Sequence, residues 1–334
     1  MKIVFFEIKG WEKPMIKKAL KKHKLFFYHE PLTDKNVKEV KDADIISVFI
    51  YSKIDDKLLS MMKKLKLITT RSTGYDHIDV KACKNKKIVV ASVPSYGENT
   101  VAEHTFALIL ALSRKVHESH LRRFKGDFSI EGLKGFDLKG RILGVVGAGK
   151  IGKHVIRIGR GFEMKVLASD HHPDKFLAEE LHFDYVSLEE LLKKSDIVTL
   201  HVPYDKGTHH LINEKTLGMM KKGAMLINTA RGQVVDTESL IKALDKGKLA
   251  GVGLDVMEGE DLIKEEKQLL YDSKKANMFQ QLAKNHILLS RDNVVFTPHI
   301  AFYSQEALER IIQKTIENIL EFEKGGVRDG LVRS

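Results

Sequence analysis

The chain has 334 residues, enough for more than one hydrophobic core, and its 43% hydrophobic content marks an ordinary globular protein. Its apolar runs fall short of the roughly 20 residues a membrane helix needs, and a single cysteine, Cys83, excludes an internal disulfide framework and suits a reducing cytoplasm. The net charge of +11 invites a nucleic-acid partner, but in PMIKKALKKHK the lysines lie opposite Ile16, Ala19 and Leu20 on a helical face, and no basic-aromatic motif accompanies them, so no nucleic acid is expected.

MKIVFFEIKG lacks a signal-peptide core and reads as a first strand. Short β-branched runs then alternate with amphipathic stretches, the sign of βα units around parallel sheets. The first series places strands at 2–7, 25–30, 44–50, 66–70 and 87–93. From Asn99 a long helical pattern, NTVAEHTFALILALSRKVHESHLRRF, interrupts the alternation, and a glycine-containing polar segment follows it. A second series places strands at 141–147, 164–169, 196–202, 224–230, 251–256 and 293–300. SLEELLKKS has a serine at 187 and a glutamate three residues on, the spacing of a capping box. Residues 259–293 form a long polar connection, which predicts local helices or function, and QEALERIIQKTIENILEFEKGG after Ser304 predicts a long final helix. The expected fold is α/β, with two doubly wound parallel sheets.

The second series opens on GVVGAGKIGK, where Gly147, Gly149 and Gly152 have the G-x-G-x-x-G spacing between a strand and a helix. Glycine allows the tight turn, the close approach of a pyrophosphate and close helix packing, while the helix start at Lys150 and Ile151 offers amides to phosphate. The next strand ends in Asp170, where a carboxylate accepts from ribose hydroxyls and repels a 2′-phosphate, so NAD is favoured over NADP. The neighbouring His171 and His172 would soften that repulsion when protonated. Further on, Arg231 follows one strand, Asp255 and Glu260 the next, and His299 the one after, so successive strand ends deliver a guanidinium, a carboxylate and an imidazole to one edge. An arginine fork binds a 2-keto acid through its carboxylate and polarises the carbonyl. Histidine then protonates the alkoxide that hydride attack leaves, and Glu260 orients its ring. Taken singly, each is also an ordinary strand-end residue. The paired histidines 171–172 and 209–210 lack the spacing of a metal site, and none is expected.

These motifs, together with RSTGYDHID, VPSYGENTVAEHTFALILALSRK, LHVPYDKGTHHLIN, LINTARGQVVD, GLDVMEGED and VVFTPHIAFYS in that order, resemble the D-isomer-specific 2-hydroxyacid dehydrogenases, most closely the D-lactate dehydrogenase branch. The resemblance implies that Arg231, Glu260 and His299 are catalytic and that Asp255 helps orient the site. It implies that amides near Thr73 and Gly74 hold the substrate carboxylate, and that Tyr96, Phe302 and Tyr303 shape the side-chain pocket, with Tyr51 a weaker candidate. His201, Val202, Pro203, Thr229 and Ala230 would line the NAD cleft. Residues 1–99 and 299–334 would form a substrate domain and 100–298 the cofactor domain, with a homodimer made through the helix from Asn99, in the cytoplasm. Glyoxylate or hydroxypyruvate reduction is the nearest alternative, although there the catalytic glutamate commonly precedes a proline and here Glu260 precedes Asp261. An NAD-sensing corepressor is the alternative from a different class.

Overall fold

A computed structural model describes residues 1–260, 276–327 and 329–332. The chain divides into two compact units, Met1–Gly97 with Tyr303–Ser334, and Glu98–Phe302. The divisions expected at 99 and 299 shift by a few residues for a physical reason. The helix Glu98–Ser113 packs as a whole on strands of the second sheet, and the second unit runs on to Phe302, so His299 belongs to it rather than to the first.

The first unit holds β1 (Lys2–Phe5), β2 (Lys24–Phe27), β3 (Ile45–Val48), β4 (Leu67–Thr70) and β5 (Val89–Ala91), parallel throughout, in the order β2-β1-β3-β4-β5. The register explains the fold. Val4, Ile46, Ile68 and Val90 are cross-strand neighbours and enter one core with Leu58, Leu59 and Met62. Alternate residues Ile3, Phe5, Ile45 and Leu67 face the other way, onto Ile312, Ile316 and Ile319 of the helix Gln305–Glu323. Ile16 and Leu20 join that second core, whereas Ala19, expected on the same face, is exposed.

The second unit holds β6 (Ile142–Val146), β7 (Lys165–Ser169), β8 (Asp184–Tyr185), β9 (Ile197–Leu200), β10 (Ala224–Asn228), β11 (Leu249–Leu254) and β12 (Val294–Phe296). Its order, β12-β11-β10-β9-β6-β7-β8, is that of a doubly wound parallel sheet whose direction of winding reverses between β6 and β9. Such a reversal opens a crevice beyond the carboxyl ends of the two strands. β9 and β10 are buried along their whole length, as a sheet covered on both faces requires.

Three local expectations change. The helical pattern from Asn99 is two helices, Glu98–Ser113 and Val116–Arg123, because Lys115 takes a left-handed φ of 53° and the Ser113 carbonyl accepts from the Phe136 amide. Ser187 caps its helix through the Glu190 amide, but the Glu190 side chain pairs with Lys194, so only half of the capping box forms. The two-residue β8 carries too few alternating positions to be read from sequence. Within the 259–293 connection, Ala276–Leu289 is helical and residues 261–275 lie outside the described residues. No helix among the described residues is long and apolar enough to cross a membrane.

Candidate active site

The glycine loop follows β6 at the point of reversal. Gly147 has φ 93°, and a Cβ there would meet the His201 carbonyl at 2.8 Å. A Cβ on Gly152 would sit 2.0 Å from the Gly147 oxygen, so the third glycine lets the helix Lys150–Gly161 start directly against the loop. Gly149 differs, since its Cβ would point into open space. The loop therefore presents bare backbone at the start of a helix whose first residues are Lys150 and Ile151, as a pyrophosphate requires. Asp170, just past β7, accepts from the Ala148 amide at 2.7 Å and from the His172 amide at 2.9 Å. One carboxylate thus fixes the glycine loop and stands where ribose hydroxyls would find an acceptor. His201, Val202 and Pro203 follow β9. The Nε2 of His201 meets the Thr199 hydroxyl at 2.9 Å, its Nδ1 is shielded with no partner among the described residues, and burial pushes the imidazole down to about 3. These residues fit a dinucleotide.

On the opposite side of the reversal, Thr229 and Ala230 follow β10 and are buried, Thr229 within 3.0 Å of the Thr105 hydroxyl. Arg231 comes next, half-buried, its Nη1 donating to the Ala230 carbonyl at 2.7 Å. Gly232 packs so closely that a Cβ would lie 2.2 Å from the Met257 carbonyl carbon, which seats the arginine turn directly on the segment leading to Glu260.

That segment begins at Asp255, 1% exposed. Its carboxylate accepts from the Thr297 hydroxyl at 2.6 Å and from the Ile300 and Ala301 amides at 2.9 Å each, which folds the chain after β12 into a tight turn. His299 occupies the turn with φ 57°, a left-handed conformation costing a side chain on the order of 1 kcal/mol. Its amide donates to the Asp255 carbonyl at 2.9 Å. Its Nδ1 lies 2.7 Å from Glu260 Oε1, and the Phe302 ring stands edge-on at 6.4 Å between centroids. The other Glu260 oxygen is shielded from water with no donor among the described residues, so His299 is the carboxylate's partner there.

Thr73, Gly74, Tyr96 and Tyr303 belong to the first unit. Thr73 and Gly74 follow β4 at the carboxyl edge of that sheet, where the Thr73 hydroxyl donates to the Val93 carbonyl at 2.8 Å. Among the described residues their two amides donate to no protein acceptor. Tyr96 follows β5 and its carbonyl accepts from Arg310. Tyr303 and Tyr51 are exposed.

Sequence reasoning passed over two partners of this site. His104, on the helix Glu98–Ser113, places Nε2 2.9 Å from the Thr297 hydroxyl. A polar side chain inside the apolar run VAEHTFALIL was the available signal. Asn285, fully buried, donates to the Glu258 carbonyl at 2.9 Å and so anchors the loop just before Glu260. Nearby, His210, Asp236 and Glu258 converge within 4.8 Å, but their oxygens already serve protein donors: Glu258 meets His210 Nε2 at 2.6 Å and accepts from the Thr237 amide and hydroxyl.

The family model for the NAD binding domain of D-isomer specific 2-hydroxyacid dehydrogenases matches residues 106–301. The chain belongs to this family. As an NAD-dependent D-2-hydroxyacid dehydrogenase, it is 35% identical over 330 residues to the D-lactate dehydrogenase of Escherichia coli K12, covering 97% of this chain and 98% of that protein. It is 40% identical over 298 residues to the D-specific alpha-keto acid dehydrogenase of Enterococcus faecium, covering 88% and 87%. Among solved structures, the D-lactate dehydrogenase of Aquifex aeolicus complexed with NAD and lactic acid is similar at a TM-score of 0.84 and 42% identity, covering 97% of this dehydrogenase and 96% of that chain.

Proposed function

We propose that this dehydrogenase reduces a small 2-keto acid, foremost pyruvate to D-lactate, with His299 as the proton donor. The observation that carries the reading is the 2.7 Å contact between His299 Nδ1 and Glu260 Oε1. An imidazole whose Nδ1–H donates to a carboxylate keeps Nε2 as the transferable site, and among the described residues Nε2 has no protein partner. Bound NADH supplies the hydride. Arg231 binds the substrate carboxylate and draws charge onto the carbonyl oxygen, which takes its proton from His299 as the C–O double bond opens. The Thr73 and Gly74 amides supply further donors to the carboxylate, and Tyr96, Phe302 and Tyr303 set the room for the side chain. Two relatives act on D-lactate by name and a third on alpha-keto acids more broadly, which supports pyruvate first and larger acids second.

We further propose a homodimer in the cytoplasm. Phe124, Phe128 and Ile130 are 70%, 84% and 88% exposed, an apolar surface suited to a second copy, and the lone thiol Cys83 is buried and unpaired. The helix Glu98–Ser113 gives Ala102, Phe106, Leu108, Ile109 and Leu112 to its own core, and the exposed apolar side chains offered to a second copy follow it.

Purified protein with NADH should consume pyruvate faster than hydroxypyruvate, glyoxylate or longer 2-keto acids, read as loss of nicotinamide absorbance. No turnover with any of them defeats the enzyme reading, and a faster rate with another acid replaces pyruvate. His299→Gln should lower kcat by about 10² to 10⁴ while retaining NADH binding.

A further inference from the structure

We propose that His104 is a positioning residue for the acid, acting on His299 through Thr297 and Asp255; the inference rests on the reading of His299 as the proton donor. The Asp255 carboxylate holds the turn after β12 together by accepting from Thr297, Ile300 and Ala301. The Ile300 and Ala301 amides are fixed by the backbone, but the Thr297 hydroxyl is free to rotate. Facing the Asp255 carboxylate at 2.6 Å, it donates its single proton there. Toward any further partner its oxygen can then only accept, and among the described residues the group within reach is His104 Nε2 at 2.9 Å, itself 3.5 Å from the same carboxylate oxygen. His104 therefore carries its hydrogen on Nε2 and locks the hydroxyl in the donating rotamer.

The lock matters because His299 sits in the left-handed region, which a side chain leaves readily unless its surroundings hold it. Two residues before it, Thr297 is one fixed point of the turn. Its hydroxyl, the Asp255 carboxylate and the amide of His299 on the Asp255 carbonyl form one connected network. His104 reaches that network from a separate helix, so the imidazole that gives up the proton is oriented by the helix packed against the sheet as well as by Glu260.

Four variants test this, measured for NADH affinity, kcat, KM and the solvent deuterium isotope effect. His104→Leu removes the donor and should lower kcat about tenfold or more, leave the NADH dissociation constant within about twofold, and raise the isotope effect as proton transfer slows. His104→Gln, whose amide donates to the same hydroxyl, should recover to within about threefold of the parent. Thr297→Val should match His104→Leu, and the double variant His104→Leu/Thr297→Val should be no worse than either, since one connection is broken twice. A kcat within twofold of the parent in His104→Leu, with an unchanged isotope effect, overturns the proposal. Should the leucine variant fail to fold, Thr297→Ser against Thr297→Val decides on the same readouts, and equal rates for the two overturn it. His299→Gln run beside them separates the two ideas. An active His299→Gln overturns the acid assignment and the positioning with it, whereas an inactive one beside a fully active His104→Leu overturns the positioning alone.

Discussion

Burial holds the imidazole of His201 down to about 3 from an ordinary 6.5. Between those values the unfolded chain carries a proton that the native chain lacks, so stability is complete above 6.5 and falls as pH drops toward 3. The slope from this one group reaches about 1.4 kcal/mol per pH unit. His201→Asn should therefore lose less stability than the parent when denaturation is compared near neutrality and in mild acid. Equal losses would show that the group does not titrate as its burial implies. Glu260→Gln keeps the shape of the His299 partner and removes the charge, and a fall in kcat of about 10²-fold with NADH affinity unchanged is expected. At this scale the sequence made the positions of Arg231, Asp255 and His299 legible, because each lies within three residues of a strand end, and Glu260 follows Asp255 on the same segment. It left His104 hidden, since a histidine in an apolar helix looks like any other core-edge residue until Thr297, far along the chain, is folded against it.

The loop and helix that follow β6 give two glycines opposite fates. Gly149→Ala adds a methyl group to open space, so folding should be unchanged while NADH affinity falls by about tenfold or more. Gly152→Ala adds one 2.0 Å from the Gly147 oxygen, and the resulting displacement should cost at least 1–3 kcal/mol as well as binding. Thermal denaturation with and without NADH checks the pair, and equal melting temperatures for the two variants would contradict it. The strands were legible because parallel strands buried on both faces read as short, largely apolar runs without polar alternation, as in IVTL and AMLIN. What escaped was set by tertiary geometry. The break at Lys115 carries neither glycine nor proline to announce it, and β8 pairs through two residues only.

For the molecule as a whole, ligand linkage should separate the units. NADH at about 100 times its dissociation constant stabilises its binding site by about 2.7 kcal/mol, and hydrogen exchange should slow most around Gly147–Ile151 and Asp170. Protection greatest in the first unit would contradict the assignment of the cofactor to the second. Replacing Phe128 and Ile130 by glutamate should turn the sedimenting species from dimer to monomer, and a parent that already sediments as a monomer defeats the homodimer proposal. The turn that carries His299 has a bearing on transplantation. TPHIAFYS looks like a portable peptide, yet its shape is dictated by acceptors and donors 42 and 193 positions away, at Asp255 and His104. Grafted alone onto another parallel sheet, it would bring an imidazole without the means to aim it. The smallest unit of this chemistry that can be moved is a pair of strand ends together with the helix packed across them.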